Sequence, residues 1–265
     1  MQPNAAGERM GAQLDAQFLL QRLDEIGHSL KQSDHALALI GVGSVGLELE
    51  RLDVYSDLDF FAVVEPGHKW LYLENLDWLS RVHPIAFAFM NTVDGYKALY
   101  ADGIFCEFAV FEPDELATIP YAPGRIVWKK PDAPESWSQP VWQPTDRQPH
   151  SLDWLLGEAL TNLYVGMARD RRGETLSAMR FIQGYAVDRL LEMANYIEPV
   201  QGGQEDRFAP ERRFEQRYPG TGWQLPVWLG GYGHNRAAAL AMLAFLEQHF
   251  AVNQAIATVI RRLCE

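Results

Sequence analysis

"LIGVGSVGLELERLDVYSDLDFFAVVE", residues 39–65, joins two apolar segments through a glycine-rich turn and a pair of aspartates. The first segment runs into the pattern GVGSVG, and the second begins with Asp57-Leu-Asp59. Short apolar segments that are bounded by turn residues are typical of buried β-strands. The stretch therefore predicts two strands, with glycines at the end of the first and carboxylates at the start of the second.

Further apolar segments of strand length extend this pattern through the N-terminal half of the chain. Strands are predicted at 36–42, 58–64, 85–90 and 104–111, and helices at 13–30, 45–52 and 70–82. The segment between the last two strands is predicted to be a turn. Helices that alternate with strands indicate a sheet covered by helices, so this half is predicted to be an α/β (α+β) domain.

The C-terminal half has the periodicity of helices. Apolar residues recur at helical spacing over 152–169, 175–197 and 236–263, and Asn235 is predicted to cap the last of these helices. The segment before them is rich in proline and tryptophan and has no sustained period. The predicted organisation is a domain at 1–115, a connector at 116–149 and a helical bundle at 150–265.

Composition limits the classes of protein to which the chain can belong. The 265 residues are 48% hydrophobic, and 35 acidic against 23 basic residues give a net charge of −12. This charge disfavours nucleic acid as a partner and favours a small, cationic substrate. Cys106 and Cys264 lack the spacing of a zinc site, and no apolar segment is long enough to span a membrane. We expect a cytoplasmic protein without a membrane partner; the sequence leaves open whether it forms a homodimer.

One interpretation of the glycine pattern is a dinucleotide-binding turn. GVGSVG follows a predicted strand and precedes a predicted helix, and Glu65 ends the next strand, where an acid would bind a ribose. The helix after the glycines is short, however, and a crossover between parallel strands needs a longer one. This interpretation also leaves Asp57, Asp59 and Glu107 unexplained.

The three carboxylates indicate a metal site instead. Asp57 and Asp59 are two residues apart at the start of a strand, so both side chains point to the same face. Neighbouring like charges cost free energy unless a cation lies between them, and oxygen ligands favour Mg²⁺. Glu107 lies within the strand at 104–111 among apolar residues, where an unpaired carboxylate is costly. If the two strands are neighbours, the carboxylates converge as metal-assisted phosphoryl transfer requires.

Two further features suit a phosphate ligand. Gly43-Ser44 leads into a predicted helix and offers backbone N–H groups, a hydroxyl and the positive end of a helix dipole. Arg180, on a predicted helix of the C-terminal half, offers a guanidinium for bidentate contact with a triphosphate. An ion pair with Glu158 or Asp188 explains Arg180 equally well.

This combination resembles the antibiotic nucleotidyltransferases of the DNA polymerase β-like superfamily. Their pattern is a Gly-Ser pair, an Asp-x-Asp motif between hydrophobic residues, and a third acid on a later strand. The segment YSDLDF at 55–60 has a form common in that family, and 173–183 with 185–191 looks like the C-terminal domain of lincosamide nucleotidyltransferases. The residues that match the pattern are Gly43, Ser44, Asp57, Asp59 and Glu107.

The resemblance implies a nucleotidyltransferase-type mixed sheet with flanking helices, followed by a helical, substrate-binding domain. It implies Mg²⁺-dependent transfer of AMP from ATP to a hydroxyl of a small-molecule acceptor, such as a lincosamide or an aminoglycoside. The three carboxylates would be the catalytic metal ligands, with Glu107 also a candidate for the base. Gly43, Ser44 and Arg180 would contact the nucleotide.

Three alternatives stay open at the level of the sequence. One is an NAD(P)-dependent oxidoreductase that uses the GVGSVG turn, and another is a catalytically silent protein that keeps the nucleotidyltransferase fold. The third is a nucleotidyltransferase toxin that acts on RNA or protein, to which the acidic balance of the chain is a mild objection.

Overall fold

Among the described residues, six strands form one mixed sheet in the first of the two compact units into which the chain divides, Met1–Asp146 and Arg147–Glu265. The computed structural model describes residues 16–141, 150–203, 205–206 and 209–265. Within these residues, no helix is both long and apolar enough to cross a membrane. The strands are β1 (Ala36–Val42), β2 (Leu58–Val64), β3 (Ile85–Thr92), β4 (Gly95–Tyr100), β5 (Phe105–Phe111) and β6 (Arg125–Lys129).

The strand order, β3-β4-β5-β2-β1-β6, places β5 and β2 side by side in the centre of the sheet. These two strands are parallel, and the other neighbouring pairs are antiparallel. Asp59 of β2 is the Cα partner of Glu107 of β5. Because paired residues on neighbouring strands point to the same face, this register brings the two predicted carboxylates together.

Helices flank this sheet, as the sequence predicted. The larger core lies on one face and includes Leu23, Phe60 and Phe108, all buried. Alternation along β2 sends Phe60 into this core and Asp59 to the opposite face, where a smaller cluster surrounds Phe111. The helices of this unit are α1 (Ala16–Lys31), α2 (Lys69–Glu74), α3 (Asp77–Ser80) and α4 (Pro113–Leu116).

Two strands lie where the sequence predicted none. Strand β4 occupies the segment predicted to be a turn, and β6 lies within the predicted connector, 116–149, yet pairs with β1. Both strands carry lysine or arginine, and β6 is a short edge strand, so neither has the continuous apolar character that marks β1 and β2. Residues 142–149 of the predicted connector and 13–15 of the first predicted helix lie outside the described residues.

Two predicted helices of this unit are wrong in form. Segment 45–52 is not an α-helix, because the chain makes two separate 3-10 turns, Gly43–Val45 and Leu49–Arg51. Segment 70–82 divides into α2 and α3 at Asn75, whose side chain accepts a hydrogen bond from the backbone N–H of Asp77, the first residue of α3. The periodicity of apolar residues does not reveal local hydrogen bonds of this kind.

The second unit is helical, and this prediction is confirmed. Residues 175–193 form one continuous helical segment in which a π-helical part, Arg180–Ala186, lies between α6 and α7. The helices of this unit are α5 (Leu152–Arg171), α6 (Thr175–Met179), α7 (Val187–Met193), α8 (Phe214–Arg217), α9 (Pro219–Gly222), α10 (Leu225–Trp228), α11 (Asn235–His249) and α12 (Gln254–Cys264).

The predicted helix at 236–263 is two helices, and Asn235 is not its cap. The chain breaks between α11 and α12, where the Asn253 side chain accepts a hydrogen bond from the backbone N–H of Ala255. His234 holds the capping position of α11, whereas Asn235 is buried, and its amide nitrogen donates to Asp170 at 2.9 Å. Its buried amide therefore joins neighbouring helices instead of satisfying the helix end.

Candidate active site

The glycine turn at the end of β1 lies directly beside the Asp59 carboxylate. Gly43 has a φ of +60°, a conformation that favours glycine. A Cβ atom built on Gly43 would lie 3.2 Å from Oδ2 of Asp59. The turn is closed by a hydrogen bond of 3.1 Å from the Gly46 N–H to the Gly43 carbonyl. Glycine at position 43 therefore provides both the backbone conformation and the space next to the carboxylate.

Ser44 is buried within the same turn and is only 8% exposed. The Arg125 guanidinium, from β6, donates to the Val45 carbonyl at 3.3 Å and so ties the turn to the edge of the sheet. The helix that was expected after Ser44 is absent, so the predicted contribution of a helix dipole is wrong. The backbone N–H groups and the hydroxyl are the remaining phosphate-binding features of this turn.

The three predicted carboxylates lie at one edge of the sheet. Asp57 directly precedes β2, Asp59 is the second residue of β2, and Glu107 is paired with Asp59 across the parallel strands. Val42, the last residue of β1, is the Cα partner of Asp59 on its other side. Neighbouring strands lie about 4.8 Å apart, yet the ligand oxygens of these three carboxylates do not all lie within 4.8 Å of one another, so side chains have to turn before they can share one cation. The register thus groups Asp59 and Glu107 beside the glycine turn, with Asp57 two residues away along the chain.

Glu107 has two partners that the sequence did not identify. Asn91 of β3 donates to Oε1 of Glu107 at 3.0 Å, and the ammonium of Lys97 lies 3.1 Å from Oε2. The Glu107 side chain is 42% exposed, so it is not the deeply buried acid that its apolar neighbours suggested. Lys97 is the Cα partner of Glu107 on β4. Because β4 was not predicted, nothing in the sequence placed this lysine opposite the carboxylate.

An open pocket borders Asp57. It has a volume of about 290 Å³, and its lining includes Tyr55, Ser56, Asp57 and Phe105. The loop that forms one side is shaped by Asp53, whose carboxylate accepts a hydrogen bond of 2.8 Å from the Tyr55 N–H. The pocket offers space for a ligand directly next to Asp57.

Cys106 is the Cα partner of Leu58, the residue between Asp57 and Asp59, but it takes no part in the site. Its side chain is fully buried on the core face. Burial raises the pKa of the Cys106 thiol to about 12, and the negative charges of Asp59 and Asp57 add to this rise. The thiol is therefore protonated at neutral pH, and nucleophilic chemistry by this cysteine is disfavoured.

Arg180, the last predicted site residue, belongs to the second unit and begins its π-helical segment. Its side chain is exposed, and among the described residues it forms no ion pair with Glu158 or Asp188. Its predicted contact with a triphosphate stays a prediction.

The dinucleotide interpretation loses its structural basis in this topology. Such a turn connects a strand through a long helix to a parallel strand. Here β1 and β2 are antiparallel neighbours, and 3-10 turns occupy the segment between them. The oxidoreductase alternative that used the GVGSVG turn is therefore wrong.

The sequence matches no protein-family model and no curated protein. Among solved structures, it is similar to an aminoglycoside 6-adenyltransferase from Bacillus subtilis, with 14% identity over 92% of this chain and 90% of that chain and a TM-score of 0.32. A STING-associated CdnE c-di-GMP synthase from Capnocytophaga granulosa has 13% identity over 94% and 78% and a TM-score of 0.32. The CD-NTase CdnG from Bradyrhizobium diazoefficiens, in complex with GTP, has 13% identity over 96% and 95% and a TM-score of 0.30. At these low identities and TM-scores, the function has to be inferred from the residues of the chain itself.

Proposed function

We propose that this chain is a nucleotidyltransferase of the DNA polymerase β-like superfamily, which transfers AMP from ATP to a hydroxyl of a small molecule. The observation that carries the proposal is the register in which Asp59 and Glu107 pair beside the Gly43 turn. Nucleotidyl transfer needs carboxylates, a turn that binds phosphate and an adjacent pocket, and this end of the sheet offers candidates for all of them.

The donor atoms at this edge suit Mg²⁺. Asp57, Asp59 and Glu107 offer carboxylate oxygens, which this ion prefers, and neither histidine nor thiolate competes for it at this edge among the described residues. When bound, Mg²⁺ would neutralise the triphosphate and the leaving pyrophosphate. In our proposal, Asp57 and Asp59 hold the metal ion, and Glu107 either shares it or accepts the proton of the acceptor hydroxyl.

The turn at Gly43 would hold the phosphates. Its backbone N–H groups and the Ser44 hydroxyl can donate hydrogen bonds to phosphate oxygens. Any side chain at position 43 would crowd the Asp59 carboxylate, so the turn allows phosphates and metal ligands to approach one another closely. Arg180 is a further candidate for a triphosphate contact from the second unit.

Glu107 would be positioned for its role by neighbouring strands. Asn91 and Lys97 each contact one of its two oxygens, which fixes the orientation of the carboxylate on the open face of the sheet. A base of this kind must lie within hydrogen-bond reach of the attacking hydroxyl. The hydroxyl oxygen would attack the α-phosphorus, and the bond to the departing pyrophosphate would break.

The acceptor is proposed to be a small, cationic molecule that bears hydroxyl groups. The net charge of −12 favours such a ligand over nucleic acid. Aminoglycosides fit this chemistry, and lincosamides follow from the resemblance in the helical half. We propose a cytoplasmic enzyme, in keeping with a substrate pair of ATP and an antibiotic.

The proposal is tested by incubating the protein with α-labelled ATP and Mg²⁺ over a panel of aminoglycosides and lincosamides. We expect a labelled small-molecule product and release of pyrophosphate, both abolished by a metal chelator. Label that appears instead on RNA or protein would indicate the toxin alternative. Stabilisation by Mg²⁺ and ATP without any labelled product would indicate the catalytically silent alternative.

A further inference from the structure

Two histidines and a glutamate meet at the opposite end of β1 and β2 from the carboxylate site. His35 directly precedes β1, Glu65 directly follows β2, and His68 directly precedes α2. The backbone N–H of Glu65 donates to the His35 carbonyl at 2.8 Å, which fixes these two residues against each other. Strands of this length separate the cluster from Asp59 by roughly 20 Å, so it is independent of the proposed active site.

The three side chains can present their ligand atoms to one ion. One nitrogen from each histidine and one carboxylate oxygen of Glu65 all lie within 4.8 Å of one another. All three residues are half-buried, so an ion can reach them from solvent while the surrounding structure limits their movement. No other group of three or more such residues within ligand distance occurs in the part of the chain that is described.

Hydrogen bonds within the cluster and to its neighbours orient the three side chains. Nδ1 of His68 lies 3.0 Å from the Pro66 carbonyl, and a carbonyl can only accept, so Nδ1 carries the proton and Nε2 keeps its lone pair. Nδ1 of His35 lies 2.9 Å from Oε2 of Glu65, and Lys130 donates to Oε1 of the same carboxylate at 2.8 Å. Metal-binding histidines typically donate their other ring N–H to a carbonyl or carboxylate, which holds the ligand in place.

The two imidazole rings are stacked, with their centroids 3.6 Å apart and their planes 19° from parallel. For both lone pairs to converge on one ion, one ring has to turn, and the half-buried position of His68 beside an exposed turn gives room for this rotation.

We propose that His35, Glu65 and His68 bind one divalent transition-metal ion, with Zn²⁺ as the best fit. Two imidazole nitrogens and one carboxylate oxygen are a typical zinc ligand set, whereas Mg²⁺ prefers oxygen alone. The ion would join the start of β1, the end of β2 and the start of α2. Because the carboxylate site described above carries only oxygen ligands, the two sites differ in the metal that they select.

The test is a calorimetric titration of the untagged protein with Zn²⁺ in an excess of Mg²⁺, with Co²⁺ absorption as the second readout. Excess Mg²⁺ would saturate the proposed oxygen site, so the binding that remains reports on the histidine cluster. We expect one Zn²⁺ per chain, and a visible Co²⁺ spectrum of the kind that a low-coordinate site with nitrogen ligands gives. Wild-type protein that binds no Zn²⁺ under these conditions would overturn the proposal.

Matched variants locate the ion. We expect His68→Ala and Glu65→Gln each to weaken Zn²⁺ binding by roughly tenfold or more, as the loss of one ligand implies. His28→Ala removes an exposed histidine on α1, and Asp59→Asn alters the other site, so both are expected to bind Zn²⁺ like the wild type. His68→Gln keeps a donor for the Pro66 carbonyl and serves if the alanine variant is unfolded by circular dichroism. Equal affinity in His68→Gln and wild type would exclude His68 as a ligand.

Discussion

At the scale of single residues, Gly43 carries the most specific prediction. Gly43→Ala forces a side chain into a φ of +60° and places its Cβ 3.2 Å from Oδ2 of Asp59. Gly67→Ala is the matched control, since Gly67 also has a positive φ, of +82°, but has no neighbour within 4 Å of an added Cβ. We expect both variants to lose about 1 kcal/mol of stability in urea unfolding. Only Gly43→Ala should lose transferase activity; equal activity in the two variants would separate the turn from catalysis.

Lys97 gives a second prediction at this scale. Its ammonium neutralises Glu107 at 3.1 Å and so competes with a metal ion for the same carboxylate. Lys97→Met is expected to lower the Mg²⁺ concentration for half-maximal activity by several-fold, with little change in stability, because half-exposed ion pairs contribute at most about 1 kcal/mol. Lys31→Met, an exposed lysine on α1, should leave the Mg²⁺ requirement unchanged. If Lys97→Met also leaves the Mg²⁺ requirement unchanged, Glu107 does not contact the metal ion.

The local sequence pattern indicated the acids and the glycine turn of the site, but not the residues that contact them. Asp57, Asp59 and Gly43 are close together in sequence, so the turn and the strand after it indicated their shared location. Asn91 and Lys97 reach Glu107 only through the pairing of β3, β4 and β5. Strand register over such sequence distances depends on tertiary packing, which a single sequence does not reveal.

At the scale of elements, the apolar strands were predictable, whereas the polar edge and the helix breaks were not. Strands β1, β2 and β5 are mostly apolar segments, and β6 is a short strand that begins and ends with a basic residue. At both helix breaks an asparagine side chain accepts a backbone hydrogen bond, Asn75 ahead of α3 and Asn253 at the cap of α12. Periodicity continues across both breaks, and therefore the sequence indicated single helices.

Asn235 gives a prediction for the packing of the helices in the second unit. Its side chain accepts a hydrogen bond from Gln183 and donates to Asp170, each at 2.9 Å, and thereby joins α11, the π-helical segment and α5. Asn235→Ala leaves these buried partners unsatisfied and should cost about 1–3 kcal/mol in urea unfolding. Asn253→Ala, which removes only the cap of α12, is expected to cost about 1 kcal/mol. If Asn235→Ala loses less stability than Asn253→Ala, the Asn235 side chain does not hold the three helical segments together.

At the scale of the whole molecule, the sequence identified the α/β and helical halves, because the periodicity changes from strands to helices along the chain. The position of the division was harder to predict. The segment 116–149 reads as a connector, yet β6 within it completes the sheet, and the division between the compact units falls at Asp146 and Arg147. A strand that is recognised only by its partner cannot be assigned to a domain from local composition.

Ligand stabilisation is the prediction at this scale. A ligand that binds only the folded chain raises the free energy of unfolding by about 2.7 kcal/mol at a hundred times its Kd. We expect ATP with Mg²⁺ to raise the Tm in a thermal scan, ATP with chelator to raise it less, and NAD or NADP to leave it unchanged. A Tm that rises with NAD or NADP and ignores Mg²⁺ would favour an oxidoreductase instead.

In the proposed site, Asp59 and Glu107, paired across the parallel strands beside the Gly43 turn, hold one metal ion for AMP transfer. The most direct measurement compares label transfer from α-labelled ATP by the wild type, Asp59→Asn and Glu107→Gln, with the exposed Glu50→Gln as control. We predict that both site variants stay folded and lose activity by about a hundredfold or more, while the control keeps it. Full activity in folded Asp59→Asn would contradict the claim.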